Sequence, residues 1–173
     1  MSDFFTQLIN ESMLEQWAAT LDWLFNDDRF SKTRGWNGTQ VCKFTKRVKR
    51  MPGFSKDSFI CGRLDKISFP NAEMPPRTVE IPTVLMGTGE AEGRALVRHI
   101  RNGIAHGKNR CFKIKGELYI EVLDYGKRES TEGNLSNQTA YICIPLAYIT
   151  QIHSIYQEIE YAERNDRSKK KTA

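Results

Sequence analysis

The sequence predicts a mainly α, α+β domain: a bundle of about five helices with an antiparallel β-hairpin or three-stranded sheet inserted between the fourth helix and the last. Two patterns predict it. Apolar residues recur at spacings of three and four over most of the chain, and between Cys111 and Leu146 that period falls to two. A length of 173 residues with 39% apolar content suits one core. Residues 1–163 therefore read as a single domain with a β insertion at about 110–146, and the basic residues 164–173 as a disordered tail.

Each element has its own justification. Residues 3–26 predict a long helix capped by Ser2, with Phe5, Leu8, Leu14, Trp17, Leu21 and Leu24 on the buried stripe. After a turn at Arg34–Gly38, Val41, Phe44, Val48 and Met51 predict a short helix that Pro52-Gly53 ends. Ser55 is placed to cap a third helix through Phe59, Ile60, Leu64 and Ile67. Pro70, Pro75, Pro76 and Pro82 exclude a helix from Phe69 to Pro82 and leave a long irregular connection. A fourth helix is expected from about Thr83 or Thr88 to His106, with Gly107 ending it in the left-handed conformation. CFKIK and LYIEVLDY around Lys115-Gly116-Glu117 predict a hairpin, and TAYICIPL, after a polar loop at 126–138, a third strand. A last helix at about Ala147–Glu163 would bury Tyr148, Ile149, Ile152, Ile155, Tyr156 and Ile159.

The four cysteines, Cys42, Cys61, Cys111 and Cys143, form no CxxC pair and read as buried thiols. With no basic, apolar leader pattern and no 18-residue apolar run, the expectation is a cytoplasmic protein that does not span a membrane. Net charge is +5, unevenly spread: nine Lys/Arg and no Asp or Glu lie between Arg29 and Lys56. Lys43, Lys46, Arg47, Lys49 and Arg50 fall on the outer face of the short helix, and Phe30, Trp36, Phe44 and Phe54 are interleaved with the basic residues. Cations mixed with rings suit RNA, because phosphates exchange counterions for Lys/Arg and bases stack on aromatics. The same pattern equally describes a solvated face whose aromatics enter the core. A DNA-binding role for residues 40–51 lacks a framing second helix.

The densest chemistry is RHIRNGIAHG, residues 98–107. On a helical wheel Leu96, Val97, Ile100 and Ile104 make the core stripe. Arg94, Arg98 and Arg101 then follow one margin of the opposite side, Asn102 its centre, and His99 and His106 the far margin, with Ala95 and Ala105 admitting another backbone. His99 and His106 are seven residues apart, roughly 10 Å along a helix, too far for one metal ion. No metal or other cofactor is expected. Cleaving RNA with its own 2′-hydroxyl needs a base, an acid and a cation on the phosphorane. Histidine and arginine are the right types. One copy does not surround a phosphate, whereas two antiparallel copies of the helix would bring two His and two Arg to one cleft.

Arg101-Asn102-Gly103-Ile104-Ala105-His106 resembles the signature of the HEPN superfamily, in which four to six residues separate an Arg from a His and the residue right after the Arg is commonly polar. Arg94 and His99 share the spacing, but Ala95 follows that Arg. The resemblance covers mainly residues 84–107. It implies a HEPN-like helical bundle, a homodimer formed through the 88–106 helix, and metal-independent cleavage of single-stranded RNA to a 2′,3′-cyclic phosphate. Arg101 and His106 would be catalytic with Asn102 in support, while Arg94, Arg98, His99, Lys46, Arg47, Lys49 and Arg50 would bind RNA. It further implies a toxin or anti-phage effector with an antitoxin protein as partner. The alternative is an inactive HEPN dimer serving as an RNA-binding or protein-interaction module.

Overall fold

A five-stranded mixed sheet, not a helical bundle, organises the chain. The computed structural model describes residues 11–26, 36–70, 82–87, 91–126 and 137–171. The expected Ser2 cap, Phe5, Leu8, Phe30, and the prolines at 75 and 76 lie outside them. Among the described residues the elements run α1 (Glu11–Asn26), α2 (Gly38–Val48), β1 (Phe59–Gly62), a 3-10 turn (Leu64–Lys66), β2 (Thr83–Gly87), α3 (Glu92–Ala105), β3 (Asn109–Ile114), β4 (Glu117–Tyr125), β5 (Gln138–Pro145) and α4 (Leu146–Lys171). The strand order is β1-β2-β5-β4-β3, with β1 and β2 parallel and the other pairs antiparallel.

Two corrections to the expected helices create this sheet. Where a third helix was expected, Phe59–Gly62 is an edge strand paired with β2. Ile60 and Leu64 are 40% and 47% exposed, so their helical spacing marks no buried stripe. Where the fourth helix was to begin near Thr83, TVLMG is a strand held between β1 and β5. Val84 and Met86 are fully buried, on the face of the sheet that the core covers. The five-helix bundle is therefore overturned: four helices pack with a sheet in an α+β fold, and residues 110–146 supply three of its five strands instead of an insertion.

The hairpin itself forms as expected. Lys115 and Gly116 both take positive φ, 50° and 87°, the turn geometry that matches the twist of paired strands. Helices α3 and α4 lie against the sheet, and α1 and α2 pack on those helices. Val84, Met86, Ile120, Val122, Ile142 and Ile144 turn toward them from the sheet. Tyr119, Tyr141 and Cys143 occupy the opposite face with Leu85, Phe112 and Phe69. On that face Arg110 binds the buried Glu121 directly across the β3/β4 register. The last helix continues to Lys171, past the expected end at Glu163.

Candidate functional site

α3 carries the whole motif and stops where expected. Gly107 has φ 64°, its N–H donates to the Ile104 carbonyl (3.1 Å), and the Lys108 N–H reaches the Gly103 carbonyl (2.8 Å). That pair of bonds is a Schellman ending. His106 is the C-cap, and both it and Arg101 are exposed.

The buried arc of α3 is wider than the wheel stripe, taking in Gly93, Ala95, His99 and Gly103 beside Leu96, Val97 and Ile100. The cause is its position between the sheet on one side and α2 on the other. A Cβ at Gly93 would lie 2.7 Å from a ring carbon of Phe44, and one at Gly103 would lie 2.7 Å from the Leu123 carbonyl oxygen and overlap Val122. Gly103 is thus the point at which the motif docks on β4. Ala95, expected to face a partner, is instead in the core.

His99 requires the clearest correction. Expected on an open margin, it is 1% exposed, and its Nδ1 lies 2.6 Å from Oδ2 of Asp124, which is 4% exposed. Asp124 follows Ile120 and Val122 on the helix-facing side of β4, which places a carboxylate under α3. Burial alone would raise its pKa, but the hydrogen bond and charge of His99, the Asn102 amide and the Tyr125 N–H together hold it below the ordinary carboxylate value. An ionised carboxylate only accepts, so Nδ1 carries the hydrogen. Nε2 faces both the Gly87 carbonyl (3.2 Å) and an Arg98 guanidinium nitrogen (3.3 Å). The carbonyl accepts and the guanidinium donates, so Nε2 keeps a partner whether or not it is protonated.

The chain of contacts runs outward from there. Asn102 donates from Nδ2 to Asp124 Oδ2 (3.3 Å), and its Oδ1 accepts from Arg101 Nη2 (3.0 Å) and Nε (3.3 Å). A neutral amide therefore stands between the buried carboxylate and the exposed guanidinium. It orients Arg101 without neutralising it. His153, the third histidine, is a core residue stacked on Trp23 and 3.1 Å from the Thr20 hydroxyl. Sequence reasoning missed Asp124, although its place in the alternation Ile120, Val122, Asp124 was a readable signal.

The residues expected to bind RNA are not one surface. Arg94 turns toward α2 and donates to the Trp36 carbonyl. Arg98 is half-buried beside His99. On α2, Arg47 pairs with Glu158 (2.6 Å) and Lys43 with Glu163 (3.9 Å), and its C-cap Lys49 pairs with Glu92 (2.5 Å). Lys46 and Arg50 have no carboxylate partner among the described residues. Trp36 and Phe44 are buried and Phe54 packs against the core, so these rings are structural instead of a stacking platform.

Burial pushes the Cys61 and Cys143 thiols up to about 11, with Glu92 adding to the effect at Cys61 and Glu121 at Cys143. Neither is a nucleophile near neutrality. Cys42, expected to be buried, is exposed. Among the described residues no group of three or more His, Cys, Asp or Glu is placed to hold a metal ion, and no helix is long and apolar enough to cross a membrane. Comparison with protein-family models, with curated proteins and with solved structures gives no match.

Proposed function

We propose that the exposed end of α3 is half of a metal-independent RNA-cleaving site, completed by a second copy of the chain. One observation carries this reading: a polar chain, from buried His99 and Asp124 to half-buried Asn102, has as its outer terminus an exposed Arg101 with no carboxylate partner among the described residues, about one and a half helical turns from an exposed His106. Burying an ionisable pair costs several kcal/mol before its attraction is counted, and functional side chains are held in place by supporting hydrogen bonds of this kind. The resemblance of RNGIAH to the HEPN signature supports the same assignment, here on an α+β scaffold.

The chemistry follows from the residue types. The RNA 2′-oxygen attacks phosphorus as a base removes its proton. The bond to the 5′-oxygen breaks as an acid protonates it, leaving a 2′,3′-cyclic phosphate. Arg101 holds the phosphoryl oxygens, whose charge grows in the transition state. His106 takes one proton-transfer role. Among the described residues His99 and His153 are buried, so the second role falls to His106 of another copy, with α3 paired about a two-fold axis. Such an effector acts in toxin or defence systems with an antitoxin partner, in the cytoplasm.

Incubating the purified chain with single-stranded RNA in EDTA tests the proposal. Cleavage that disappears in His106→Ala and Arg101→Ala is expected. No cleavage, or cleavage unchanged in both variants, refutes it, and RNA binding without cleavage favours the inactive RNA-binding module.

A further inference from the structure

A cavity of about 750 Å³ lies between α2 and the start of α3, at the opposite end of α3 from His106. Its size is within the range of about 300–1,000 Å³ typical of small-ligand pockets. Three cations line it: Lys46 from α2, Lys49 at its C-cap, and Arg94 from α3. Lys49 is already paired with Glu92 (2.5 Å), the acidic residue of the wall. Lys46 and Arg94 have no carboxylate partner among the described residues, which leaves two uncompensated positive charges facing one space.

Arg94 is also partly desolvated. Its guanidinium donates to the Trp36 carbonyl, while its Nε is buried without an acceptor. A half-buried guanidinium whose nearest acceptor is a neutral carbonyl is a strong site for an anion, since charge-assisted bonds gain most where water is thin. Ala91, the N-cap of α3, has no side-chain oxygen, and the Gly93 N–H of the first turn donates instead to the Thr45 hydroxyl of the same wall (3.1 Å). The rest is apolar. Trp36 and Val41 form part of the lining, and the Trp36 ring is fixed by stacking on Tyr156 at 4.5 Å.

We infer that this cavity binds a phosphate ester, such as a nucleotide, with Lys46 and Arg94 on the phosphate and the organic group in the remaining volume. A free mononucleotide and a nucleotide of an RNA strand share this chemistry. The inference does not depend on the cleavage reading, because Arg94 is seven residues, roughly 10 Å along the axis, from Arg101.

Cys42 provides a local reporter, being an exposed thiol in the cavity wall. The full chain is alkylated with iodoacetamide, alone and with adenosine monophosphate or a ten-nucleotide single-stranded RNA, and modification at each cysteine is followed by mass spectrometry. Either ligand is expected to slow Cys42 alkylation about fivefold or more at saturation and to leave Cys61 unchanged. The concentration needed should rise about tenfold in Lys46→Gln and in Arg94→Gln, the loss of one charge-assisted bond. Protection by both ligands assigns a free-nucleotide site, and protection by RNA alone assigns the strand. Lys46 is exposed, so Lys46→Gln keeps the test valid if Arg94→Gln folds poorly. Protection by neither ligand, or protection unchanged in Lys46→Gln, overturns the proposal. His106 and Arg101 lie at the other end of α3, so protection by adenosine monophosphate is read independently of whether the RNA assay shows cleavage, which separates failure here from failure of the cleavage site.

Discussion

Replacing Asp124 by Asn tests the buried chain with little change in volume. Three donors converge on this carboxylate: His99 Nδ1 at 2.6 Å, Asn102 Nδ2 at 3.3 Å and the Tyr125 N–H at 2.9 Å. The amide keeps one acceptor oxygen and turns the other position into a donor facing a donor. At about 1.5–3 kcal/mol for a hydrogen bond to a charged group, and about 3–5 kcal/mol for breaking a buried pair, the expected loss is about 3 kcal/mol. In a chain of this size each kcal/mol lowers the melting temperature by about 2–4 °C, giving a drop of about 6–12 °C at neutral pH. The pH dependence has a definite sign. Asp124 has a lowered folded-state pKa, so its stabilising contribution is complete above the unfolded value of about 3.9 and is lost as pH falls through the folded value. The gap between wild type and Asp124→Asn should therefore be present at about pH 5 and close as pH falls below about 4. Thermal melts across this range measure it. A drop under about 2 °C, or a gap that persists to the lowest pH at which both proteins melt cooperatively, refutes a charged, stabilising Asp124.

Other expectations separate scaffold from chemistry. Gly103→Ala forces a Cβ into Val122 and the Leu123 carbonyl and should cost about 1–3 kcal/mol in urea unfolding; an unchanged midpoint would remove the close approach of α3 to β4. Arg101→Ala and His106→Ala, both at exposed positions, should change stability by no more than about 0.5 kcal/mol while abolishing cleavage in the RNA assay. Asn102→Asp should neutralise Arg101 and set two carboxylates side by side, weakening single-stranded RNA binding about tenfold in a fluorescence-anisotropy titration; equal binding would show that Arg101 does not need a neutral neighbour.

What the sequence disclosed depended on how local the deciding contacts were. The hairpin was legible because Cys111–Ile114 and Leu118–Tyr125 alternate and Lys115-Gly116 suits their turn. The end of α3 was legible because Gly107 is a local signal. β1 and β2 were not: each is a short apolar run without alternation, and the two pair with each other across a long connection. A period cannot distinguish such strands from pieces of a helix. The motif's position on a helix was readable, and so was the choice of Arg101, Asn102 and His106 as candidates. The burial of His99 was not, because a wheel with one core stripe assumes one neighbour, while α3 lies between the sheet and α2. Asp124 was hidden by distance, since a lone acid at a strand end gains meaning only once the strand lies under the helix.

The docking of Gly103 on β4 limits how far the motif can be moved. Grafted onto a free-standing helix, RNGIAH would keep an arginine and a histidine at the right spacing but lose the strand that fixes Asn102 from beneath. The smallest transferable unit is therefore not six residues. It extends from Arg98 to Asp124, helix, turn and hairpin together, and a chain that preserves only the letters of the motif inherits its side chains without their alignment.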